Sequence, residues 1–445
     1  MVVVDCAAFN SIPTHNLTHI SPPTLPAQSN MVHPLSYDYN ATAQIAAASL
    51  LPNLRLFQVG RQWSNNPGAV LPLGCHDNGT TPGLNPHCSS GLRNIWRSPT
   101  PEGDPGASSF SAVCYLTAQE LMRTELGENV SVGLVEADWG GSSMAAWQTR
   151  DLAVARGCAA EPPVEDSCPL AMTHISPIRG NNWACLLHGM IQPLTRSLRP
   201  FLALWYQGES NSNDPPDTYQ CQLEAMIAEW RAAFNSSSMP FFLVQLAPYW
   251  QGRRTGANFP AIRIAQAQAV ETAMAETGVA SGYCVTHDLG DHAGGIHPHN
   301  KTEVARRLAI EIRAKVFGTQ GLPRIPSVSS VCANQNASNR LEIRFQSTVT
   351  ELRWSGTHNC TECCTANTSV VEICDANECT NQTSMAWTAV PARWENDNGS
   401  RFLAVDAIAS TKAVRYAWSN YPECVLFDSA GLPVPPFNQS IGVCR

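Results

Sequence analysis

Charged side chains are scarce in this chain, and they form no run of one sign. Only 14% of the 445 residues are Asp, Glu, Lys or Arg, against 44% hydrophobic residues, and the net charge is −8. Because there is no Lys/Arg cluster to bind phosphates, we expect no nucleic-acid partner. No apolar run is long enough to cross a bilayer, so we also expect no membrane span. The apolar fraction is nonetheless sufficient for a large core.

The sequence also lacks a recognisable secretory leader. The chain opens at Met1 with a short valine run, without a basic region or a long apolar stretch. Residues 1–27 are rich in proline, and Pro22, Pro23 and Pro26 are not tolerated in a central strand. We therefore interpret residues 1–27 as an incomplete N-terminal segment.

Cysteine, by contrast, is abundant. The 17 cysteines lack the paired spacing of a structural zinc site, so we expect disulfides and no bound metal. Cys75–Cys88 and Cys158–Cys168 are predicted to close short loops, and the odd total leaves one thiol, for which Cys114 in an apolar stretch is our candidate. Glycosylation sequons recur, among them Asn16, Asn78, Asn129, Asn235 and Asn438. Together these features predict a secreted or lysosomal glycoprotein.

Short apolar runs alternate with helical stretches from about residue 45 to 318, which is typical of βαβ units. Strands are predicted at Val130–Val135, Phe201–Tyr206, Phe241–Leu246 and Tyr283–His287. Helices are predicted at Thr117–Thr124, Gln222–Phe234, Ala261–Thr277 and Glu303–Val316. We predict an α/β fold in which residues 28–322 form a parallel sheet flanked by helices. Residues 323–445, where polar and apolar residues alternate, are predicted to form a small Cys-rich antiparallel β domain.

Three separated segments carry the residue types of a serine esterase. Ser29 is a candidate nucleophile, which needs a base to take its proton and N–H donors to bind the oxyanion. Gly140 and Gly141 follow a predicted strand, where residues without side chains let backbone N–H groups approach a substrate oxygen. Gln207 and Asn211 follow the next predicted strand, at the edge where parallel sheets place their ligands.

A candidate base comes late in the chain. His297 lies in the loop between the predicted strand near Val285 and the helix near Glu303, and Pro298 stiffens that loop. These properties fit a general base whose ring is held in one direction.

Each segment also has an ordinary structural interpretation. Ser29 is compatible with a solvated turn, and Gly140 with a tight strand-to-helix turn. His297, with His292 and His299, is compatible with a weak metal site. Glu209 is compatible with a helix-capping acid. The residues alone leave these alternatives open.

The order of the segments resembles the sialate O-acetylesterases, within the SGNH-hydrolase group of serine esterases. The resemblance runs from about Ser29 to Phe437, nearly the whole chain. The matching motifs are Gln28-Ser29-Asn30-Met31, Trp139-Gly140-Gly141-Ser142, Trp205-Tyr206-Gln207-Gly208-Glu209-Ser210-Asn211, Ile296-His297-Pro298 and Val414-Arg415-Tyr416-Ala417-Trp418. This combination is highly specific.

The resemblance implies roles for individual residues. Ser29 would be the nucleophile and His297 the general base. The oxyanion donors would be the N–H groups of Ser29 and of Gly140 or Gly141, with the side-chain amide of Asn211.

The resemblance leaves the third triad member open. The wider group places an Asp three residues before the His, where this chain has Gly294, so either Asp288 or Asp291 is the third triad member or a backbone carbonyl holds the ring. Gln28, Gln207 and Glu209 are assigned to substrate binding, and no cofactor or metal is required.

The implied reaction is hydrolysis of the O-acetyl group of a sugar, sialic acid in the first instance, through an acetyl-serine intermediate. Two alternatives stay open at this point. The sugar can belong to another acetylated polysaccharide such as xylan, because loops rather than the fold select the sugar. Alternatively, the chain is a secreted carbohydrate-binding glycoprotein whose active site is dead, which the Pro-rich segment before Ser29 would favour.

Overall fold

The computed structural model describes residues 30–60, 63–64, 68, 94–100, 106–127, 129–159, 183–250, 257–291, 295–333, 339–346, 351–356, 364, 370–375, 379, 387–397, 400–408 and 410–443. Contacts divide the chain into two units. The first takes described residues from Met1–Leu246, Ala265–Cys284 and His299–Gln320. The second takes them from Ala247–Ile264, Val285–Pro298 and Gly321–Arg445. The domain boundary near residue 322 stays a prediction, and the contacts add two earlier segments to the second unit.

Parallel strands form the framework of the first unit. The strands are β1 Leu54–Gln58, β2 Trp96–Arg97, β3 Val132–Glu136, β4 Ala203–Trp205, β5 Phe241–Val244 and β6 Ser281–Cys284. One sheet has the order β2-β1-β3, with β1 and β3 parallel and the short β2 antiparallel to β1. The other has the order β4-β5-β6, all parallel. Every residue of β3 to β6 is buried, which explains their continuous apolar runs.

The last of these strands is displaced from its predicted position at Tyr283–His287. It begins at Ser281, and the backbones of Ser281 and Gly282 pair with those of Phe241 and Phe242 in β5. His287 lies in a turn after the strand. Hydrophobicity therefore located the buried chain correctly but misplaced the paired residues.

Helices flank these sheets. They are α1 Ala41–Ala46, α2 Ala112–Leu121, α3 Arg150–Ala155, α4 Gln192–Thr195, α5 Pro216–Ala233, α6 Phe259–Thr277 and α7 Lys301–Ile312. Side-chain caps start two of them: the Ser111 hydroxyl accepts the Cys114 N–H (3.4 Å), and Asn300 accepts the Glu303 N–H (3.2 Å). In the described part of the chain, no helix combines the length and apolarity needed to cross a bilayer.

The four predicted helices coincide with α2, α5, α6 and α7. The second one starts earlier than predicted, at Pro216, because a proline ring is tolerated in the first turn of a helix. The α/β prediction with helices around a parallel sheet is confirmed.

Antiparallel pairing dominates the second unit. Its strands are β7 Val328–Ala333, β8 Arg340–Phe345, β9 Leu352–Gly356, β10 Val371–Cys374, β11 Trp387–Ala389, β12 Ala392–Asp397, β13 Ser400–Asp406, β14 Ala413–Tyr416, β15 Cys424–Asp428, β16 Phe437–Ser440 and β17 Gly442–Val443. They form sheets of order β11-β10-β14-β16, β12-β13-β8-β7-β17 and β15-β9. One pair, β7 with β17, is parallel. The predicted antiparallel β region is confirmed.

The core of the second unit is apolar. Ile343, Val405, Val414, Tyr416 and Val425 are fully buried in one cluster with their neighbours from the other strands. Burying apolar side chains of this size stabilises a fold by roughly 1.5–3 kcal/mol each.

The first of the two earlier segments, Ala247–Ile264, is tied to the later part of the second unit by hydrogen bonds. A buried Arg263 guanidinium donates to the carbonyl oxygens of Ser419 (2.8 Å) and Ala247 (3.2 Å). The Phe259 N–H donates to Oδ1 of Asn420 (2.9 Å). These contacts bind residues far apart in sequence into one unit.

A disulfide in the first unit corrects one of the predicted pairings. Cys158 bonds to Cys221 and not to Cys168, because Cys158, just after α3, lies 5.4 Å (Cα–Cα) from Cys221 in α5. In the second unit, Cys364 bonds to Cys424 and Cys374 to Cys379. The Cys75–Cys88 pairing falls outside the described residues.

The prediction that Cys114 carries a thiol is also wrong. Cys114 is fully buried in α2 but is disulfide-bonded. Among the described cysteines, Cys284 at the end of β6 carries a thiol, which donates to the Val304 carbonyl oxygen (3.9 Å). An apolar neighbourhood predicted burial correctly, but burial does not distinguish a thiol from a disulfide.

Candidate active site

Two loops at the carboxyl ends of parallel strands, one from each sheet of the first unit, hold most of the candidate residues. Gly140 and Gly141 follow β3, and Gly208 follows β4. Gly141 has φ +72° and Gly208 has φ +146°, conformations that glycine adopts at little cost and other residues rarely take. The glycines therefore let each strand turn sharply, so that the next residues stay at the sheet edge.

A buried amide network joins these two loops. Nε2 of Gln207 donates to the Ser142 carbonyl oxygen (3.0 Å) and to Oδ1 of Asn211 (2.7 Å). The same Oδ1 accepts the Met144 N–H (3.0 Å). Nδ2 of Asn211 donates one hydrogen to Asp214 (2.7 Å), and a primary amide carries two. The network therefore holds the loop that contains Gly140 and Gly141, here called the glycine loop, against the Gln207–Asn211 loop.

The helices behind the loops support Gln207 from the other side. The Tyr219 hydroxyl of α5 donates to the Gln207 carbonyl oxygen (2.9 Å), and so does Nε2 of Gln266 in α6 (2.9 Å). Both donors are buried. Burial raises the pKa of Tyr219 above its ordinary value, so its hydroxyl remains a proton donor at neutral pH.

Asn30, directly after Ser29 in the chain, is held between opposite charges. Its Nδ2 donates to Oε1 of Glu209 (2.7 Å), and its Oδ1 accepts from Nζ of Lys301 (2.6 Å). Asn30 and Lys301 are fully buried, and the Lys301 ammonium lies 5.2 Å from the centre of the Tyr206 ring. We call this trio the Asn30 clamp. It joins three distant parts of the chain beside the candidate nucleophile.

The charge state of Glu209 is set by two opposing effects. Desolvation raises its pKa, whereas the hydrogen bond from Asn30 and the positive charge of Lys301 lower it, and the net shift is upward. In the clamp, Oε1 of this carboxylate accepts the hydrogen bond from Asn30. The sequence had suggested substrate binding or helix capping for Glu209, and neither role includes this contact with Asn30.

The chain after Asn30 is anchored to the first unit by several contacts around Ser111. The Ser111 hydroxyl donates to Sδ of Met31 (3.3 Å), and its N–H donates to Oε2 of Glu136 (2.9 Å). Nε2 of Gln58 donates to the same carboxylate oxygen (3.1 Å). The Ala112 N–H donates to the His33 carbonyl oxygen (2.9 Å). The backbone following the candidate nucleophile therefore has a fixed course.

Three of the residues singled out in the sequence fall outside the described residues. They are Gln28, Ser29 and His292. Gly140, Gly141, Gln207, Glu209 and Asn211 all belong to the first unit, and the amide network brings their two loops together, while the Asn30 clamp adds Asn30 to the second loop.

The candidate base and its candidate carboxylates belong to the segment Val285–Pro298 of the second unit. His297 is half-buried, Asp288 is buried and Asp291 is half-buried. Burial raises the pKa of Tyr416, and the nearby charge of Asp288 raises it further. Both carboxylates therefore stay candidates as the partner of His297, with Asp288 interacting electrostatically with Tyr416.

Within the described ranges, no group of three or more His, Cys, Asp and Glu side chains is arranged to hold a metal ion. His299 instead lies beside two tyrosine rings in the first unit.

The sequence interpretation missed the buried carboxylate of Glu136 and gave no role to Asn30 or Lys301. Glu136 ends an apolar strand, and a charged residue at that position is a usable signal. The Asn30 clamp has no sequence signal of its own, because its members are far apart in the chain.

Comparison with known proteins gives consistent matches along the chain. The family described as "Carbohydrate esterase, sialic acid-specific acetylesterase" matches residues 113–313. The family described as "Sialate O-acetylesterase C-terminal domain" matches residues 329–441. The two matches lie on either side of the predicted domain boundary.

Individual relatives agree with these families. Sialate O-acetylesterase of Rattus norvegicus is 26% identical over 463 residues, covering 93% of this chain and 76% of the rat protein. The Homo sapiens enzyme is 29% identical over 370 residues, covering 77% of this chain and 63% of the human protein. A crystal structure of a carbohydrate acetylesterase from Xanthomonas citri superposes with a TM-score of 0.67 at 26% identity, covering 93% of this chain and 78% of the other.

Proposed function

Because the chain belongs to the sialate O-acetylesterase family, we propose that it hydrolyses acetyl esters of sialic acids with Ser29 as the nucleophile. The chain is a carboxylic ester hydrolase of the carbohydrate O-acetylesterase class. One observation carries the residue assignment: the glycine loop, the Gln207–Asn211 loop and the residue after Ser29 are joined by hydrogen bonds. Parallel sheets bind ligands at this edge.

In the proposed first step, the Ser29 hydroxyl attacks the acetyl carbonyl carbon while His297 takes its proton. The carbonyl oxygen becomes an oxyanion as the new C–O bond forms. When the tetrahedral intermediate collapses, the bond to the sugar oxygen breaks and His297 gives its proton to that oxygen. The sugar leaves with a free hydroxyl, and the acetyl group stays on Ser29.

In the second step, His297 takes a proton from water, and the resulting hydroxide attacks the acetyl-Ser29 carbonyl. Acetate leaves, and Ser29 recovers its proton. The proposed oxyanion donors are the N–H groups of Ser29 and of Gly140 or Gly141, together with the second amide hydrogen of Asn211. Preorganised donors of this kind contribute more than any other single effect in many acyl-transfer enzymes.

The Asn30 clamp has a positioning role in this scheme. Asn30 is bound through both ends of its side chain, so the backbone next to Ser29 cannot rotate without breaking two short, charge-assisted hydrogen bonds. We therefore assign Glu209 a positioning role through Asn30, in addition to the substrate contact that the sequence predicted for it. Gln207 keeps its predicted role in substrate binding.

The third triad member is Asp288 or Asp291, and variants distinguish them. An Asp that holds the neutral tautomer of His297 is essential, so replacing it by Asn lowers kcat by about 10⁴-fold. We expect this loss from one of Asp288→Asn and Asp291→Asn, with less than a tenfold change from the other. Equal, small effects would mean that a backbone carbonyl orients the ring.

The test of the proposal is the variant Ser29→Ala. We expect hydrolysis of an O-acetylated sialic acid and of an aryl acetate to fall at least about 10³-fold. The matched control is Ser197→Ala, at an exposed position after α4, with unchanged rates. A fluorophosphonate should label the wild-type protein at Ser29 and leave Ser29→Ala unlabelled. Full activity of Ser29→Ala, or labelling elsewhere, would overturn the assignment.

A second substrate class is favoured by the neighbour from Xanthomonas citri, which its title calls a carbohydrate acetylesterase without naming sialic acid. The shared chemistry resides in the acetyl group, whereas the sugar is selected by loops. Acetate release from acetylated xylan, measured beside release from O-acetylated sialic acid, decides between the two. A higher kcat/KM on xylan would move the proposal to plant polysaccharide.

We further propose that the protein works in an oxidising compartment, secreted or lysosomal. Its three described disulfide pairs and the exposed sequon residues Asn129, Asn235 and Asn438 support this location. A shift in gel mobility on treatment of the natural protein with an endoglycosidase tests it.

A further inference from the structure

Two exposed tyrosines lie in the segment that follows Asn30. Tyr37 is 43% exposed and Tyr39 is 66% exposed, which is unusual for large side chains in this structure. Among the described residues, the other large hydrophobic side chains exposed to this degree are Phe201 and Ile408. Exposed aromatic rings next to a catalytic segment are candidates for ligand contact.

Both tyrosines stack on one histidine. The Tyr37 ring lies 5.9 Å from the His299 ring at an interplanar angle of 12°, and the Tyr39 ring lies 5.6 Å away at 23°. The rings of His33 and Tyr37 are nearly perpendicular, and their centres lie 4.8 Å apart. We call Tyr37, Tyr39 and His299 the aromatic stack. Each tyrosine ring lies nearly parallel to the His299 ring, and both tyrosines stay exposed to solvent.

The aromatic stack is rigidly attached to the same segments that form the Asn30 clamp. The buried Asp38, between the two tyrosines, accepts hydrogen bonds from the Thr302 N–H (2.8 Å) and the Thr302 hydroxyl (2.9 Å). It also accepts the Asn40 N–H (2.7 Å). Thr302 directly follows Lys301. The tyrosines are thus fixed relative to the start of α7 and to the clamp beside Ser29.

We propose that the aromatic stack is a sugar-binding site that holds a pyranose ring of the acetylated substrate through Tyr39. The C–H groups on the apolar face of a pyranose carry partial positive charge, and the face of an aromatic ring is negative, so the two stack favourably. A tyrosine adds a hydroxyl for the sugar's polar edge and loses little conformational entropy on binding. Because the ring is already fixed by its neighbours, less entropy is lost when the sugar binds.

This inference rests on the proposed function for its choice of sugar, and the test separates the two. Binding is measured in the Ser29→Ala background by titration calorimetry, with the methyl glycoside of N-acetylneuraminic acid as the probe. That probe carries no ester, so its binding is independent of hydrolysis. Hydrolysis of an acetyl ester by the Ser29→Ala protein would overturn the proposed function but would leave this titration interpretable.

We compare Tyr39→Leu, which keeps an apolar side chain without a ring, with Tyr39→Phe, which keeps the ring. Tyr39→Leu should raise the Kd about three- to tenfold, and Tyr39→Phe should restore most of the affinity. The matched control is Phe201→Leu. Phe201 is as exposed as Tyr37, but it precedes β4 at the amino end of that strand, so its replacement should leave the Kd within twofold.

Unchanged affinity in a folded Tyr39→Leu protein would overturn the proposal. Equal loss in Tyr39→Leu and Tyr39→Phe would also overturn it, because the hydroxyl rather than the ring would then be responsible. Thermal melts confirm that each variant is folded. A xylo-oligosaccharide titrated in parallel gives the sugar class: loss of its binding in Tyr39→Leu supports the stack, and binding of neither sugar by the parent protein overturns it.

Discussion

The strand ends of the α/β unit and the core of the β unit bury very different side chains. Gln58, Glu136, Gln207 and Asn211 are buried at or just after strands of the α/β unit, and each has a hydrogen-bond partner. The hydrophobic cluster of the β unit consists of aliphatic and aromatic side chains, although this unit also buries charged groups such as Arg263 and Glu342. Buried polar groups cost free energy unless they are hydrogen-bonded, and the hydrogen-bonded groups after these strands include the proposed oxyanion donor Asn211.

The difference teaches which substitutions should separate activity from stability. In the α/β unit, removing one amide breaks contacts that orient reacting groups. In the β unit, removing one methyl group reduces packing and leaves the chemistry alone. The following predictions test this division, in order of expected effect.

The largest effect is expected from Asn211→Ala. Asn211 joins the two site loops and supplies a proposed oxyanion donor, so its loss should lower kcat about 10²- to 10³-fold on an aryl acetate. The matched control is Asn213→Ala, an exposed asparagine in the same loop, with a change below twofold. If KM rises while kcat is unchanged, Asn211 contributes to substrate binding and not to the oxyanion site.

A similar cost in stability is expected from breaking one disulfide in each unit. Cys158–Cys221 and Cys364–Cys424 are separated by 63 and 60 residues, so their loop-closure entropies are nearly equal. Replacing either pair by serines should lower the free energy of unfolding by about 2–4 kcal/mol in urea titrations. A loss in one unit without a comparable loss in the other would show that the two units differ in residual unfolded-state structure as well as in core chemistry.

A smaller effect is expected from Ile343→Val in the β unit. Ile343 is fully buried, and removing one methylene should cost about 0.5–1.5 kcal/mol of unfolding free energy while kcat/KM stays within twofold. Ile408→Val, at a position 52% exposed, is the control, with less than about 0.5 kcal/mol expected. A fall in kcat in the first variant would contradict the division between the two regions.

The smallest effect concerns pH and Glu209. Its pKa is raised in the folded protein, so between the unfolded value, about 4.3, and the folded value the native state binds more protons than the unfolded chain. Stability is therefore lost as the pH rises through that window. Glu209→Gln should remove this loss, so its Tm relative to wild type should increase with pH across the window.

The control for the pH experiment is Glu351→Gln, which removes one negative charge at an exposed position. A constant Tm difference between Glu209→Gln and wild type would mean that Asn30 and Lys301 stabilise the Glu209 carboxylate enough to offset its burial.

The fold was largely predictable because periodicity reports burial. Apolar runs located β3, β4 and β5, and helical spacing located α2, α5, α6 and α7. Pairing was not predictable in the same way. The parallel pair β7–β17 and the bond from Cys158 to Cys221 join residues whose proximity depends on the whole chain path, which no local pattern contains.

The site was predictable where the residues follow strands. The structure places Gly140, Gly141, Gln207 and Asn211 after the strands that the apolar runs predicted, and their roles stay predictions. Lys301 was not assigned a role, because an ammonium group at the start of a helix usually extends into solvent. Here it is fully buried against Asn30, which only the three-dimensional path reveals.

The β unit is built from three separate segments of the chain, so it cannot be exchanged as one continuous piece of sequence. A fusion that exchanged residues 321–445 for another module would remove the acceptors of Arg263 and of the Phe259 N–H, which lie at Ser419 and Asn420. Arg263 would then keep its acceptor at Ala247 but lose the one at Ser419. An exchange of residues 321–445 alone therefore cannot transfer this unit intact.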